Sequence, residues 1–376
     1  MSREYYIGLM SGTSADGLDA ALIAIDDSNI DGGHIELLGT LEAPLPRHTK
    51  TLVSELALSG PDEINKLAQL DIELAETFAQ ASLSLVEQQG LNPEDIAAIG
   101  SHGQTIRHIP QSETRAGYTL QIGDPARIAE ATQICTIADF RRRDIAAGGQ
   151  GAPLAPAFHK TVFQHPTCNR FSVNIGGMAN ISYIPAAGLQ EDVIGFDTGP
   201  GNALMDAWIT LYKGKPYDED GLWAKSGSVS DDLLTRLLKH PFLEQSAPKS
   251  TGREAFNMPW LEQQLTGLNL SPEDVQATLM EFTARSIAMH VLQLQPKGEL
   301  YVCGGGAHNS ALMKRLDELL EQFTVADTSC LGVHPDWVEA MTFAWLAHQC
   351  IHKKSGNLPS VTGAKGNRIL GAIYPA

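Results

Sequence analysis

Two segments of this chain share one pattern: an apolar β-prone run, a tight turn of small residues, and a second apolar run. The first spans Tyr5 to Ile25, with Gly12-Thr13-Ser14-Ala15-Asp16-Gly17 at its tip. The second spans Phe171 to Tyr183 and turns at Gly176-Gly177. Each predicts a β-hairpin. Glycine at the tip lets backbone N–H groups approach an anion closely, and the hydroxyls of Thr13 and Ser14 add donors. Such a hairpin cradles phosphates without a Walker-type lysine. An ordinary polar turn uses the same residues, but recurrence of the pattern constrains the fold. The chain reads as two similar domains, each opening with a phosphate hairpin.

Length agrees: at 376 residues the chain exceeds the size at which one hydrophobic core keeps growing. A formal net charge of −17 argues against nucleic acid or an anionic membrane as partner. An anionic substrate would therefore need a local cationic pocket. Cys135, Cys168, Cys303, Cys330 and Cys350 are odd in number and lack C-x-x-C spacing. They point to buried free thiols in a reducing compartment, with no disulfide framework or zinc site. Met1-Ser2-Arg3-Glu4 leads straight into a strand without a signal-peptide pattern. No apolar run approaches the roughly 18 residues of a membrane span. A cytoplasmic location is expected.

Between the hairpins, strands are predicted at His34 to Leu41, Ile96 to Gly100, Tyr118 to Ile122 and Ile134 to Ala138. A long helix follows Gly60-Pro61-Asp62-Glu63 and stops near Gly90, with Leu67, Leu70, Leu74, Phe78, Ala81 and Leu85 on one face. Strands alternating with helices mean an α/β domain. Asp144 to Pro156, rich in Gly, Ala and Pro, reads as a crossover or hinge. Domain boundaries are expected at 1–145 plus 366–376 and at 146–365. Later, Ser271-Pro272 starts a capped helix, Glu299 to Cys303 forms a strand, and a last helix covers roughly Asp336 to His348.

Three glycine turns then carry the chemistry: Gly12-Thr13-Ser14, Asn174-Ile175-Gly176-Gly177 and Gly304-Gly305-Gly306. A strand–GGG–helix turn lets a flat ring lie against bare backbone. Asp197, in Gly195-Phe196-Asp197-Thr198-Gly199-Pro200-Gly201-Asn202, sits at a strand end facing a glycine turn. It is placed as a catalytic base, the other reading being a cap on the turn or helix. Asp-Thr-Gly also occurs in aspartic proteases; the single copy and the α/β pattern oppose that reading, and a homodimer would be needed to supply a second aspartate. Gly100 to Thr105 follows a strand and offers Thr105, and Gln121 lies at another strand end. In Arg141-Arg142-Arg143, an extended backbone would turn Arg142 away from its neighbours, which selects Arg142 for a substrate carboxylate. Lys249-Ser250-Thr251-Gly252-Arg253 is a second basic loop without a specific role.

The repeated hairpins with the GGG turn resemble the nucleotide cleft of the actin-like ATPase and sugar-kinase superfamily. The blocks GLMSGTSADGLDAALI, GSHGQTIRH, QIGDPARIAE, ADFRRRDIAAGGQGAPLAPAFH, VNIGGMANIS, GFDTGPGNALMDAW, VCGGGAHNSALMKRL and EAMTFAWLAH resemble the anhydro-N-acetylmuramic acid kinase family over essentially the whole chain. The resemblance implies an α/β, two-domain actin-like ATPase (ribonuclease H-like) fold with a central cleft. It implies ATP and Mg²⁺ as cofactors and an amino sugar as substrate, in cell-wall recycling. It assigns Gly12, Thr13, Ser14, Ala15, Asp16, Gly17, Leu18 and Asp19 to the ATP phosphates, and Asn174, Gly176 and Gly177 to a second clasp. Gly304, Gly305 and Gly306 then border the adenosine. Asp197, read above as the base, is expected to take the proton from water. Thr105, Gln121, Arg142 and Glu339 are the expected sugar contacts, Glu339 reading equally as a surface charge. Sugar kinases usually lead each hairpin with Asp-x-Gly-Gly; here Leu9 and Asn174 hold those places. The magnesium ligands are therefore unassigned, with Asp16 and Asp19 as substitutes. An ordinary sugar kinase acting on a free hydroxyl and a partner-switching actin-like ATPase are the alternatives.

Overall fold

The computed structural model describes residues 3–12, 17–26, 34–111, 115–252 and 254–376. The chain forms two compact units, Met1–Val162 with Trp337–Ala376 and Phe163–Asp336. The first opens with β1 (Glu4–Ser11) and β2 (Gly17–Asp26), an antiparallel pair extended by β3 (His34–Pro44). Helices α1 (Arg47–Leu56) and α2 (Glu63–Gln88) follow. The α2 stripe Leu70, Leu74, Phe78, Ala81 and Leu85 is buried against the sheet, as its spacing of three and four requires. Next come β4 (Ile96–Ile109), β5 (Tyr118–Ile122), α3 (Pro125–Thr132), β6 (Thr136–Ala138), α4 (Arg142–Ala146) and α5 (Ala155–Phe163). Asp124 caps α3 through the N–H groups of Ala126 and Arg127.

The second unit repeats the plan. β7 (Arg170–Ile175), β8 (Met178–Ile184) and β9 (Ile194–Pro200) form an antiparallel meander. Helices α6 (Ala203–Lys213), α7 (Asp231–Leu237), α8 (Met258–Leu265) and α9 (Pro272–Leu294) come next, then β10 (Gly298–Cys303), α10 (Ser310–Leu319) and β11 (Phe323–Asp327). Ser271 caps α9, its hydroxyl accepting the N–H of Asp274 at 3.2 Å. One face of α9, with Ala284, Ile287 and Val291, packs in the sheet core. Val275, Leu279 and Phe282 pack instead with α6, α7 and α8. The chain then returns to the first unit as α11 (Val338–Ile351), α12 (Pro359–Thr362) and β12 (Ala372–Tyr374).

Strand order shows the duplication. The first sheet runs β12-β6-β4-β1-β2-β3, with β5 paired to β4, and the second runs β11-β10-β7-β8-β9. In each, an antiparallel three-strand meander is followed by a strand parallel to the first and another beside that. This is the ribonuclease H-like plan that the resemblance implies, present twice.

Three expectations change. The first unit runs on to Val162 and resumes at Trp337, where the sequence suggested 145 and 366. The reason is α11, which lies on β1 and β4 where glycines leave the strands bare. A Cβ on Gly8 would stand 1.8 Å from the Ala340 carbonyl oxygen, and one on Gly100 2.0 Å from that of Phe343. The Asp144–Pro156 stretch is accordingly no crossover between units. Asp144 is fully buried and bonded to Asn357 and Thr362 of the same unit. Finally, Gly100 to Thr105 lies inside β4, which bends at Gly103 (φ +75°) and continues to Ile109.

Candidate active site

In the second unit the sheet brings three polar side chains into one row. Asn174 on β7 lies opposite Asn180 on β8, and Asn180 opposite Asp197 on β9. Directly opposed residues share a sheet face. Beyond the row, the loop after β9 folds over the β7–β8 tip. The N–H of Asn202 donates to Gly176 O at 2.8 Å, those of Gly201 and Ala203 donate to Gly177 O, and Asn202 Nδ2 donates to Ile175 O. From the other side, Gly304 has φ +74°, and a Cβ there would stand 2.2 Å from Asn174 Oδ1. A Cβ on Gly306 would stand 2.4 Å from Ile175 Cβ. Asn174, Gly176, Gly177, Asp197 and Gly304 to Gly306 are thus gathered at one end of one sheet, with Gly305 exposed and Gly306 buried against Ile175.

Asp197 is half-buried, three residues before the end of β9, slightly deeper in the strand than the sequence suggested. Burial pushes its carboxyl up to about 6; the Thr251 N–H opposes that, Glu254 adds to it and Lys249 opposes it. Oδ2 accepts the Thr251 N–H at 2.9 Å. A carboxylate raised by burial to about 6, with one oxygen anchored, suits the part of a general base.

In the first unit, Gly12, Gly17, Leu18 and Asp19 belong to the β1–β2 hairpin, while Thr13, Ser14, Ala15 and Asp16 lie outside the described residues. Leu18 is a core residue, so only its backbone is offered to a ligand. Ser11 Oγ donates to Gln104 Oε1 at 2.7 Å, and Gln104 Nε2 donates to the Gly12 carbonyl at 3.1 Å. β4 therefore pins the entrance to the tip. Thr105 and Gln121 face each other across β4 and β5, joined by a 3.1 Å hydrogen bond.

Gln121 and Arg142 line one cavity of about 240 Å³, with Asp71, Ser101, His102, Asp124 and Asp139. Arg142 comes to its wall on a helix and not on extended chain, because Arg142–Ala146 is α4. Its side chain is 60% exposed, with Asp139 3.5 Å away. Arg141 takes a different part: half-buried, it bonds Gly151 O and His102 Nε2, and desolvation pulls it down to about 10. Glu339, in the first turn of α11, is exposed and acts on Arg141; it does not line the cavity.

The sequence profile of the anhydro-N-acetylmuramic acid kinase family matches residues 4–376. The chain belongs to this family. The family's enzyme in Shewanella pealeana is 52% identical over 377 residues, covering 100% of both chains. That of Shewanella halifaxensis is 51% identical over the same length, again covering 100% of both. Among solved structures, the activator of 2-hydroxyisocaproyl-CoA dehydratase from Clostridium difficile, with bound ADPNP, is a loose likeness. It has 13% identity and a TM-score of 0.46, over 93% of this chain and 96% of that one.

For a member of the anhydro-N-acetylmuramic acid kinase family, several residues at the site carry no signal of their own in the sequence. Asn180 stands in the VNIGGMANIS block but reads as an ordinary strand residue until the register is known. Asn202 is visible only as the end of the Asp197 turn. Gln104 reads as part of a polar turn until β4 is seen to run through it. Lys249 and His290 meet across 41 residues at 2.8 Å, a pairing no local pattern announces.

Proposed function

We propose that this chain uses ATP and water to open 1,6-anhydro-N-acetylmuramic acid and phosphorylate its O6, giving N-acetylmuramic acid 6-phosphate and ADP. The observation that carries the reading is Asp197: a half-buried carboxylate raised to about 6, anchored through one oxygen in line with the second glycine clasp. Opening the bridge is a glycoside cleavage, which ordinarily wants one carboxylate to activate water and one to protonate the leaving oxygen. Here the leaving oxygen is the sugar's own O6. Asp197 takes a proton as water attacks the anomeric carbon, the bond from that carbon to O6 breaks, and O6 takes the γ-phosphoryl group as ADP departs. Phosphorus captures the developing alkoxide, so one base suffices.

The β1–β2 turn and the Gly176-Gly177 turn are assigned to the phosphates and Gly304 to Gly306 to the adenosine. Thr105, Gln121 and Arg142 are assigned to the sugar and its carboxylate. The Thr105–Gln121 hydrogen bond and the cavity that Gln121 shares with Arg142 support that choice. Glu339, exposed in the first turn of α11 and acting on Arg141, is assigned to the sugar with them. Magnesium belongs to the reading. Asp19, half-buried on β2 beside the hairpin tip, offers the hard oxygen that this ion takes alongside phosphates. Bound there, it would offset charge on the transferring group. A cytoplasmic enzyme is proposed, supported by five free cysteines, of which Cys330 is exposed. No helix among the described residues is long and apolar enough to cross a membrane. A homodimer is the proposed assembly, and sedimentation velocity decides it.

The test is Asp197→Asn in water enriched with heavy oxygen. Wild type is expected to place the label on the anomeric carbon. The variant is expected to lose about 10²–10⁴-fold in kcat while still binding ATP. Unlabelled product would make this an ordinary hydroxyl kinase, and near-normal turnover by the variant would remove Asp197 from the role.

A further inference from the structure

The basic loop without an assigned role holds the general base. Lys249 is buried, 8% exposed, and its ammonium has three acceptors: Phe242 O at 3.0 Å, Leu243 O at 3.2 Å and His290 Nε2 at 2.8 Å. His290 Nδ1 lies 2.6 Å from Ser286 O, one turn back on α9. That contact puts the ring proton on Nδ1 and leaves Nε2 to accept from Lys249. All three ammonium protons are thus used, and the charge lies over the Phe242 ring at 4.6 Å.

The backbone of the same loop grips Asp197 at two points. The Asp197 N–H donates to Lys249 O at 3.1 Å, and the Thr251 N–H donates to Asp197 Oδ2 at 2.9 Å. Residues 244–248, leading into the loop, are exposed. The side chain of Lys249 is therefore the buried root from which the carboxylate's anchor hangs. We propose that Lys249 is a positioning residue for the catalytic step. It never touches the sugar; it fixes the loop that orients Asp197, and its charge favours the ionised carboxylate. This rests on Asp197 being the base.

Electrostatics run the same way. Among the described residues, the charged groups acting on Asp197 are Glu254, which raises it, and Lys249, which lowers it; His290 faces Lys249. Burial pulls Lys249 itself down to about 8, Asp197 opposing that shift. Turnover should then rise as Asp197 ionises and fall again as Lys249 loses its proton and one of its three hydrogen bonds.

The experiment compares Lys249→Met, Asp197→Asn and the double variant, reading kcat, KM for ATP and the pH profile of kcat/KM. Lys249→Met is expected to lower kcat about ten- to a hundredfold with KM for ATP within about twofold. Its acid limb should move to higher pH and its alkaline limb disappear. In the double variant the lysine change should add nothing to the loss from Asp197→Asn, since it acts through that residue. If Lys249→Met does not fold, Lys249→Gln, which keeps two donors, should show the same acid-limb shift with a smaller loss. A folded lysine variant with unchanged kcat and acid limb overturns the inference and leaves the base intact. An equal lysine effect with and without Asp197 overturns it too. Normal turnover by Asp197→Asn removes the base, and this inference with it.

Discussion

A carboxylate proposed to work as the ionised base, yet sitting where ionisation is disfavoured, costs the fold something. Asp197 has its folded value raised by burial to about 6, against roughly 3.9 for an unfolded aspartate. Between those values the folded chain binds the proton that the unfolded chain has released. Stability is therefore lost as pH rises through that window, and the loss persists above it. Asparagine keeps an oxygen for the Thr251 N–H and carries no charge. Asp197→Asn is expected to melt at a higher temperature than wild type at pH 8, with the gap closing as pH falls from 6 towards 4. Scanning calorimetry across that range checks it. A lower melting temperature for the asparagine variant at pH 8 would mark Asp197 as a structural group. Gain of stability with loss of turnover is the trade expected if the proposed base is held ionised at a desolvated position.

At the scale of elements, glycines decide what packs where, and two of them separate fold from site. Gly8 is where α11 meets β1, and its added Cβ would strike main chain, which cannot rotate away. Gly8→Ala is expected to destabilise the first unit by about 1–3 kcal/mol, the usual cost of overpacking, measured by denaturant melts. Gly304→Ala meets the Asn174 side chain instead and forces alanine to φ +74°. It should raise KM for ATP several-fold, checked by isothermal titration with a nonhydrolysable ATP analogue. Equal ATP affinity would take Gly304 out of the nucleotide's border.

The same elements show what the sequence reveals. The two hairpins were legible because alternation stops at glycine, and α2 because one face repeats at three and four. α11 was legible as a helix, but not its place: it is buried nearly all round, so its pattern points in no direction. β4 was cut short because buried polar residues such as Ser101, His102 and Gln104 look like a turn. At the candidate site, Asp197 is the residue the glycine turn singles out as the proposed base. Its support has no such mark, since Lys249, Phe242 and His290 come together only after the chain has folded.

At the scale of the whole molecule, the two units differ in how the chain makes them. Phe163–Asp336 is one continuous stretch with two apolar cores of its own. The other unit is completed only by its returning C-terminal part. Without Trp337–Ala376, the bare strip at Gly8 and Gly100 loses the helix that covers it. β6 loses its antiparallel neighbour β12. Asp144, fully buried, accepts from Gly151 N–H at 2.9 Å and from Asn357 Nδ2 and Thr362 Oγ1, each at 2.7 Å. Removing the returning segment takes away the two side-chain donors and strands a buried carboxylate, which is among the costliest defects a fold can carry. Expressed separately, residues 163–336 are therefore expected to fold, with a dispersed amide spectrum and a cooperative melt. Residues 1–162 should not, until the 337–376 peptide is supplied. A 1–162 fragment that melts cooperatively alone would show that its core is closed by the first hairpin and α2, and that α11 is dispensable to it.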